Sequence, residues 1–120
     1  MRFEDMNIWK RSARLSANIY KYFATCKDFG FKDQITRASL SIPSNIAEGA
    51  ERDYSKDFIR FLKYSKGSCG ELRTQIFIGI DIEYINKEVG NEWIKETYEI
   101  SKMLAGFINS IKNSDKLEES

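Results

Sequence analysis

The side chain that most often does chemistry at neutral pH is missing here: none of the 120 residues is histidine. That absence removes Ser-His-Asp and Cys-His nucleophile arrangements, imidazole-bound metals and the commonest general base. Cys26 and Cys69 stand alone, without Cys-x-x-Cys spacing or companion ligands, and predict free thiols rather than a disulfide framework or a zinc site. Asp33, Glu48 and Glu71 supply carboxylates, but the Glu-x-x-His pairs with which helical bundles hold two metal ions need imidazole. No glycine-rich loop of the phosphate-cradling kind occurs. The expectation is a protein that is not an enzyme, with no catalytic residue, metal, cofactor or small-molecule substrate.

What remains is binding chemistry. Lys10, Arg11, Arg14 and Lys21 in the first part of the chain, with Lys56, Arg60 and Lys63 further on, have the charge and reach that a phosphate or partner contact requires. The alternative for these seven is a solvated face. Arg37, Asn45, Glu48 and Arg52, with Ser41 and Ser44 between them, fall at steps of three and four and form a polar stripe around Pro43. They read either as a site for a partner or phosphate, or as a buried network that satisfies carbonyls freed by the proline, with Glu48 paired to an arginine. Trp9, Tyr20, Trp93 and Phe107 are expected as core or interface anchors rather than base-stacking platforms.

The elements that must position these residues follow from the apolar spacing. Glycine, asparagine and aspartate cluster near residues 28–30, 49–53 and 85–91, and between these breaks apolar residues recur at three and four rather than two. Four helices are predicted, at about 5–26, 32–50, 55–84 and 87–112, followed by a frayed polar tail from Asn113 to Ser120. Asp5 and Ser55 are the expected N-caps of the first and third. The first helix carries two apolar lines, Ile8, Leu15, Ile19, Tyr22 and Trp9, Ala13, Tyr20, Phe23, an arc wider than the ~100° that packing on one core needs. Its excess predicts a second buried face, against another subunit. The second helix should bury Ile35, Ala38, Ser39, Ile42, Ile46 and Gly49, and Pro43 should kink it. The third has the seam Phe58, Leu62, Ser65, Cys69, Leu72, Ile76 and Gly79, with Gly67 and Gly70 expected to let a neighbouring backbone come close. The fourth has Val89, Trp93, Ile100, Leu104, Phe107 and Ile111, with Glu92, Glu96 and Glu99 facing outward.

Composition agrees with one globular domain spanning 1–120: 42% hydrophobic and 31% charged residues. The longest apolar run is too short for a bilayer, and residues 1–5 lack the apolar core of a secretion signal, so a cytoplasmic protein is expected. A net charge of +1 is too small for long-range attraction to nucleic acid. Its distribution says more, running from +4 over residues 1–37 through +1 over 38–75 to −4 over 76–120. Such a gradient suits subunits that dock head to tail, or a phosphate backbone.

Within the second helix lies the string Asp33-Gln34-Ile35, Arg37-Ala38, Ser41-Ile42-Pro43-Ser44-Asn45-Ile46-Ala47-Glu48-Gly49 and then Arg52. It resembles the four helix bundle protein family, also described as 23S rRNA intervening-sequence proteins. Ile8-Trp9-Lys10, Ile19-Tyr20, Phe58 with Phe61-Leu62, and Gly67-Ser68 followed by Glu71-Leu72 extend the likeness over nearly the whole chain. The resemblance implies an all-α, left-handed, up-and-down four-helix bundle that assembles with itself, pentameric rings being the expected form. It also implies a likeness to the accessory proteins of diversity-generating retroelements, which bind nucleic acid and a reverse transcriptase. The expected partners are therefore further copies of the chain and RNA or DNA; the alternative is a scaffold for another protein.

Overall fold

A computed structural model describes the backbone of residues 2–119 and the side chains of residues 2–115. A short 3-10 turn, Phe3–Asp5, leads into four helices: α1 (Asn7–Tyr22), α2 (Phe29–Ala50), α3 (Ser55–Asp81) and α4 (Lys87–Glu119). No strand occurs among the described residues. Each helix packs on the next, α1 closes against α4, and the diagonal pairs α1/α3 and α2/α4 do not meet. Short connections between packed neighbours make this an all-α, up-and-down four-helix bundle, 54 × 21 × 21 Å in extent.

The core is the seam that the spacing predicts. Ile35, Ala38, Ser39, Ile42, Ile46 and Gly49 are all buried on α2, as are Leu62, Ser65, Cys69, Leu72, Ile76 and Gly79 on α3. Each fully buried isoleucine or leucine contributes about 1.5–3 kcal/mol relative to exposure. Phe58 is only half-buried, with Phe61 buried in its place. On α4 the buried line is Trp93, Thr97, Ile100, Leu104 and Ile108. Val89, Phe107 and Ile111 flank it, half-buried. Threonine fits the apolar seam because its hydroxyl donates to the Ile94 carbonyl at 2.7 Å and accepts from Arg73. Phe23, not Tyr22, enters the core at the end of α1, while Tyr22 accepts the Asn86 amide at 2.8 Å.

Pro43 is buried, and α2 runs through it without interruption. One carbonyl before the proline, Ile42 accepts the Ser65 hydroxyl of α3 at 2.7 Å, and the Asn45 amide reaches the Ser41 carbonyl at 2.8 Å. The carbonyl that loses its backbone donor to proline is that of Ser39, four residues back, so these two bonds do not replace it; the Ser65 bond instead ties α2 to α3 beside the proline. Gly49 lets α3 pack close against α2: a Cβ there would stand 2.8 Å from the Phe61 Cβ. Gly67 and Gly70 do the reverse of what was expected. A Cβ on either meets nothing within 4 Å, so no neighbouring backbone in this chain uses the room they leave.

The helix ends differ from the expected boundaries for local reasons. Asp5 lies in the 3-10 turn, and the N-cap position of α1 is Met6, which makes no side-chain cap but is buried. α1 stops at Tyr22 because Phe23 leaves the helix to bury its ring. α2 starts before residue 32 because Asp28 caps it, accepting the Phe31 amide at 3.1 Å. Tyr54, not Ser55, takes the N-cap position of α3, again without a side-chain bond. α3 ends at Asp81 rather than 84. Glu83 there takes a positive φ of 64°, and the amides of Tyr84 and Ile85 both bond to the Gly79 carbonyl. Asn86 caps α4 as its position suggests, accepting from Glu88 and Val89. α4 runs past the expected end at 112 and continues to Glu119, with neither glycine nor proline after residue 112 to stop it. Ser120 lies outside the described residues.

Candidate functional site

Two unlike surfaces are built on opposite sides of the bundle. The first lies between α1 and α2 and comes from the second apolar line of α1. Phe23 leaves that line for the core, but Trp9, Ala13 and Tyr20 remain outside, joined by Ala17, and the buried Ser16 also lines the groove between them. With Phe3 before the helix and Leu40, Pro43, Ser44 and Ala47 of α2, they line a groove of about 420 Å³. Trp9, edge-on to Phe3 at 5.3 Å, stands near one end, and Tyr20 stands toward the other. Small side chains separate them on α1. No lining residue is charged, and Tyr20 and Leu40 are 41% and 47% exposed, so apolar surface here faces water in the single chain.

The second surface lies where the first turns of α3 meet the far end of α4. Lys56, Arg60 and Lys63 line a cleft of about 590 Å³ with Ile59, Tyr64 and, from α4, Lys112. Asp57 and Asp115 share it, Asp57 accepting from Arg60 at 3.3 Å, so four cations face two carboxylates. Sequence reasoning singled out the three cations of α3. It passed over Lys112 because only the fold brings it across from a segment read as acidic.

The cations of α1 do not join that cleft, since α1 and α3 are diagonal. Arg11 is committed to Glu96 of α4 through both Nε and Nη2, with Nε 3.0 Å from the carboxylate. The bonded carboxylate holds its guanidinium above the ordinary arginine pKa. Glu96 therefore faces α1 rather than solvent, and the basic and acidic ends of the sequence gradient lie side by side. Lys10, Arg14 and Lys21 are exposed.

The stripe around Pro43 is not a buried network. Arg37 pairs with Asp33 at 2.8 Å and Arg52 with Glu48 at 3.1 Å, both exposed (i, i+4) pairs, and Asn45 bonds only to its own helix. Glu48 does find an arginine. Each pair is worth about 0.3–0.5 kcal/mol, enough to steady a helix surface and too little to fix a fold.

One residue that sequence reasoning missed is Arg73, on the α3/α4 seam. Its Nε donates to the Thr97 hydroxyl at 2.9 Å and its Nη2 to Ser101 at 3.2 Å. Its guanidinium carbon lies 3.8 Å from the centroid of the Tyr98 ring. The available signal was Thr97 and Ser101, hydroxyls four apart on the edge of an apolar seam.

Reactive groups are sparse. Burial pushes the Cys69 thiol above its ordinary pKa, away from the nucleophilic thiolate. Among the described residues no group of three or more metal-ligating side chains is placed to hold an ion, and no helix is long and apolar enough to cross a membrane.

The family described as 23S rRNA-intervening sequence protein has a model that matches residues 4–106. Among solved structures, a crystal structure from Bacteroides thetaiotaomicron VPI-5482, a protein with unknown function from the S23 ribosomal protein family, is similar at a TM-score of 0.78 and 28% identity. The likeness covers 84% of this chain and 97% of that one. No curated protein matches the sequence.

Proposed function

The chain belongs to the 23S rRNA-intervening sequence protein family, and from that premise we propose that it is a non-enzymatic, self-assembling bundle of the cytoplasm that holds nucleic acid at the α3/α4 cleft. The observation that carries this reading is the cleft itself, four cations from two helices around an exposed tyrosine. A nucleic-acid contact needs positive charge at a spacing that follows a backbone, with apolar or aromatic surface nearby. A single cleft offers few phosphate contacts and would bind weakly. Several copies on one assembly turn weak contacts into avidity.

Self-assembly is the role we assign to the α1/α2 groove. Its occupant is a second copy of the chain, and a ring of five is the number implied by the resemblance of the Ser41–Gly49 string. Size exclusion with light scattering tests assembly: a multiple of the 14.0 kDa chain mass is expected, and a monomer at micromolar concentration defeats it. The ratio of absorbance at 260 to 280 nm, followed by titration with RNA and DNA at low salt, tests the second half. Absence of binding at low salt would leave the other reading, a protein-binding scaffold, which the uncharged groove favours.

A further inference from the structure

We propose that the outer α3/α4 face, from the cleft to Arg73 and Tyr98, is a track for single-stranded nucleic acid, with Tyr98 stacking an unpaired base. The inference rests on the reading of the cleft given above and names the kind of strand it takes.

The first support is the sign of the charge along this face. Between Lys63 and Phe77, α3 carries one acid, Glu71, which stands about 160° around the helix from Arg73. On α4, Glu96 is turned to α1 by its pair with Arg11, and Glu92 and Glu99 lie one turn either side of it on that same flank. Tyr98 is about 160° from Glu96. Lys66, Arg73 and Lys102 thus continue the cations of the cleft along the flank that faces α4; the carboxylates near the line are Asp57, held by Arg60, and Asp115 at its start, and Glu71 on the side of α3 away from α4. From Lys56 to Arg73 the line is about 25 Å long at ~1.5 Å per residue, room for about seven stacked nucleotides at ~3.4 Å each.

The second support is the construction at its end. Arg73 is held by two hydroxyls and a ring, and no salt bridge among the described residues neutralises it. Its charge is thus oriented and uncompensated, which lowers the entropy lost when it meets a phosphate. The guanidinium covers one face of Tyr98, yet the residue remains 50% exposed, so ring surface is left for a ligand. Phe77, one turn beyond Arg73, is 52% exposed. Gly67 and Gly70 lie along the path and put no side chain in it.

A duplex hides its base faces, whereas an unpaired base offers a π-face to a ring already polarised by a cation. The strand type follows from that difference.

Anisotropy titrations of the full chain with a labelled twelve-nucleotide oligouridylate and a twelve-base-pair RNA duplex test the inference. Circular dichroism checks that each variant folds. The single strand should bind more tightly than the duplex. Tyr98→Ala should weaken the single strand about tenfold and leave the duplex unchanged, and Tyr98→Phe should restore single-strand binding. The inference is overturned if Tyr98→Ala binds the single strand like the wild type, if the duplex binds as tightly, or if Tyr98→Phe fails to restore. The double variant Lys63→Gln, Lys112→Gln separates the two levels. If it weakens both ligands while Tyr98→Ala changes neither, the cleft stands as a nucleic-acid site and the stacking track falls. If the wild type binds neither ligand, both fall.

Discussion

The α1/α2 face and the α3/α4 face are built from the same kind of helix pair and arrive at opposite chemistry. On α1 the polar residues are displaced to the flank, leaving Trp9, Ala13, Ala17 and Tyr20 beside Leu40 and Ala47 of α2 without a charge among them. On α3 the flank toward α4 carries Lys56, Lys63, Lys66 and Arg73, and Glu92, Glu96 and Glu99 of α4 lie on the flank toward α1, leaving Asp115 as the α4 acid in the cleft. A near-neutral chain can therefore own one surface suited to apolar docking and another suited to phosphate. Net charge averages away the feature that matters.

Breaking the apolar face should have the largest effect. Ala17 is exposed in the single chain, so Ala17→Glu should leave folding within about 0.5 kcal/mol of the wild type. In an assembled groove the same carboxylate would be desolvated without a partner, and the assembly should fall to monomers on light scattering. Apparent nucleic-acid affinity should fall about a hundredfold with it, through lost avidity alone. An unchanged mass would show that the copies meet elsewhere.

Breaking the cationic face should act on salt dependence. Lys56→Gln, Lys63→Gln and Lys112→Gln together remove three cations from the cleft. The slope of log Kobs against log salt for a single strand should become shallower by about two, at ~0.7 per phosphate contact. The oligomer mass should not move. A change in mass with no change in slope would exchange the roles of the two faces.

A pair of glycine substitutions sharpens the comparison by asking what covers each surface. Gly49→Ala puts a methyl 2.8 Å from the Phe61 Cβ, where backbone and not merely a flexible tip must yield. Overpacking of about 1–3 kcal/mol outweighs a helix-propensity gain of about 1, and a net loss of about 1 kcal/mol is expected in urea unfolding. Gly67→Ala meets open space and should gain about 0.5–1 kcal/mol. A loss there that appears only in the assembled form would mean that the α3 face is itself buried between copies.

Much of this architecture is legible in the sequence because helical periodicity reports burial directly. Every residue assigned to the α2 face is buried, and Leu62 to Gly79 follow on α3. Polar residues placed in the seam were not legible. Thr97 belongs to the core only because it can bond Ile94 and Arg73, a fact of tertiary geometry. The cleft was half legible for a similar reason: the cations of α3 share a helix, whereas Lys112 arrives from 49 residues away. The helix ends shifted where a local signal had a rival. Asp28 lies in what reads as a turn, and it caps α2 because Phe31 offers its amide and Tyr84 its hydroxyl.

That last contact joins the hairpin of α1 and α2 to the hairpin of α3 and α4 at one end of the bundle, and its pH dependence is the smallest effect expected. The Phe31 amide, followed by the Tyr84 hydroxyl 2.8 Å away, holds the Asp28 carboxyl below its ordinary range. The same bond raises Tyr84 above its ordinary value. A lowered carboxylate contributes stability that is complete above its unfolded pKa, about 4, and lost as pH falls through the lower folded value. A raised phenol contributes stability that is complete below about 10 and lost as pH climbs through the higher folded value. The clasp should therefore act between these limits and weaken on both sides. Asp28→Asn keeps a capping oxygen for Phe31 but cannot ionise, so its thermal midpoint should fall less steeply than the wild type's below pH 4. Tyr84→Phe should flatten the alkaline limb alone. If the two hairpins are one cooperative unit, neither change should alter assembly mass or single-strand binding at pH 7. A selective loss at one face would show that the clasp holds the two faces unequally.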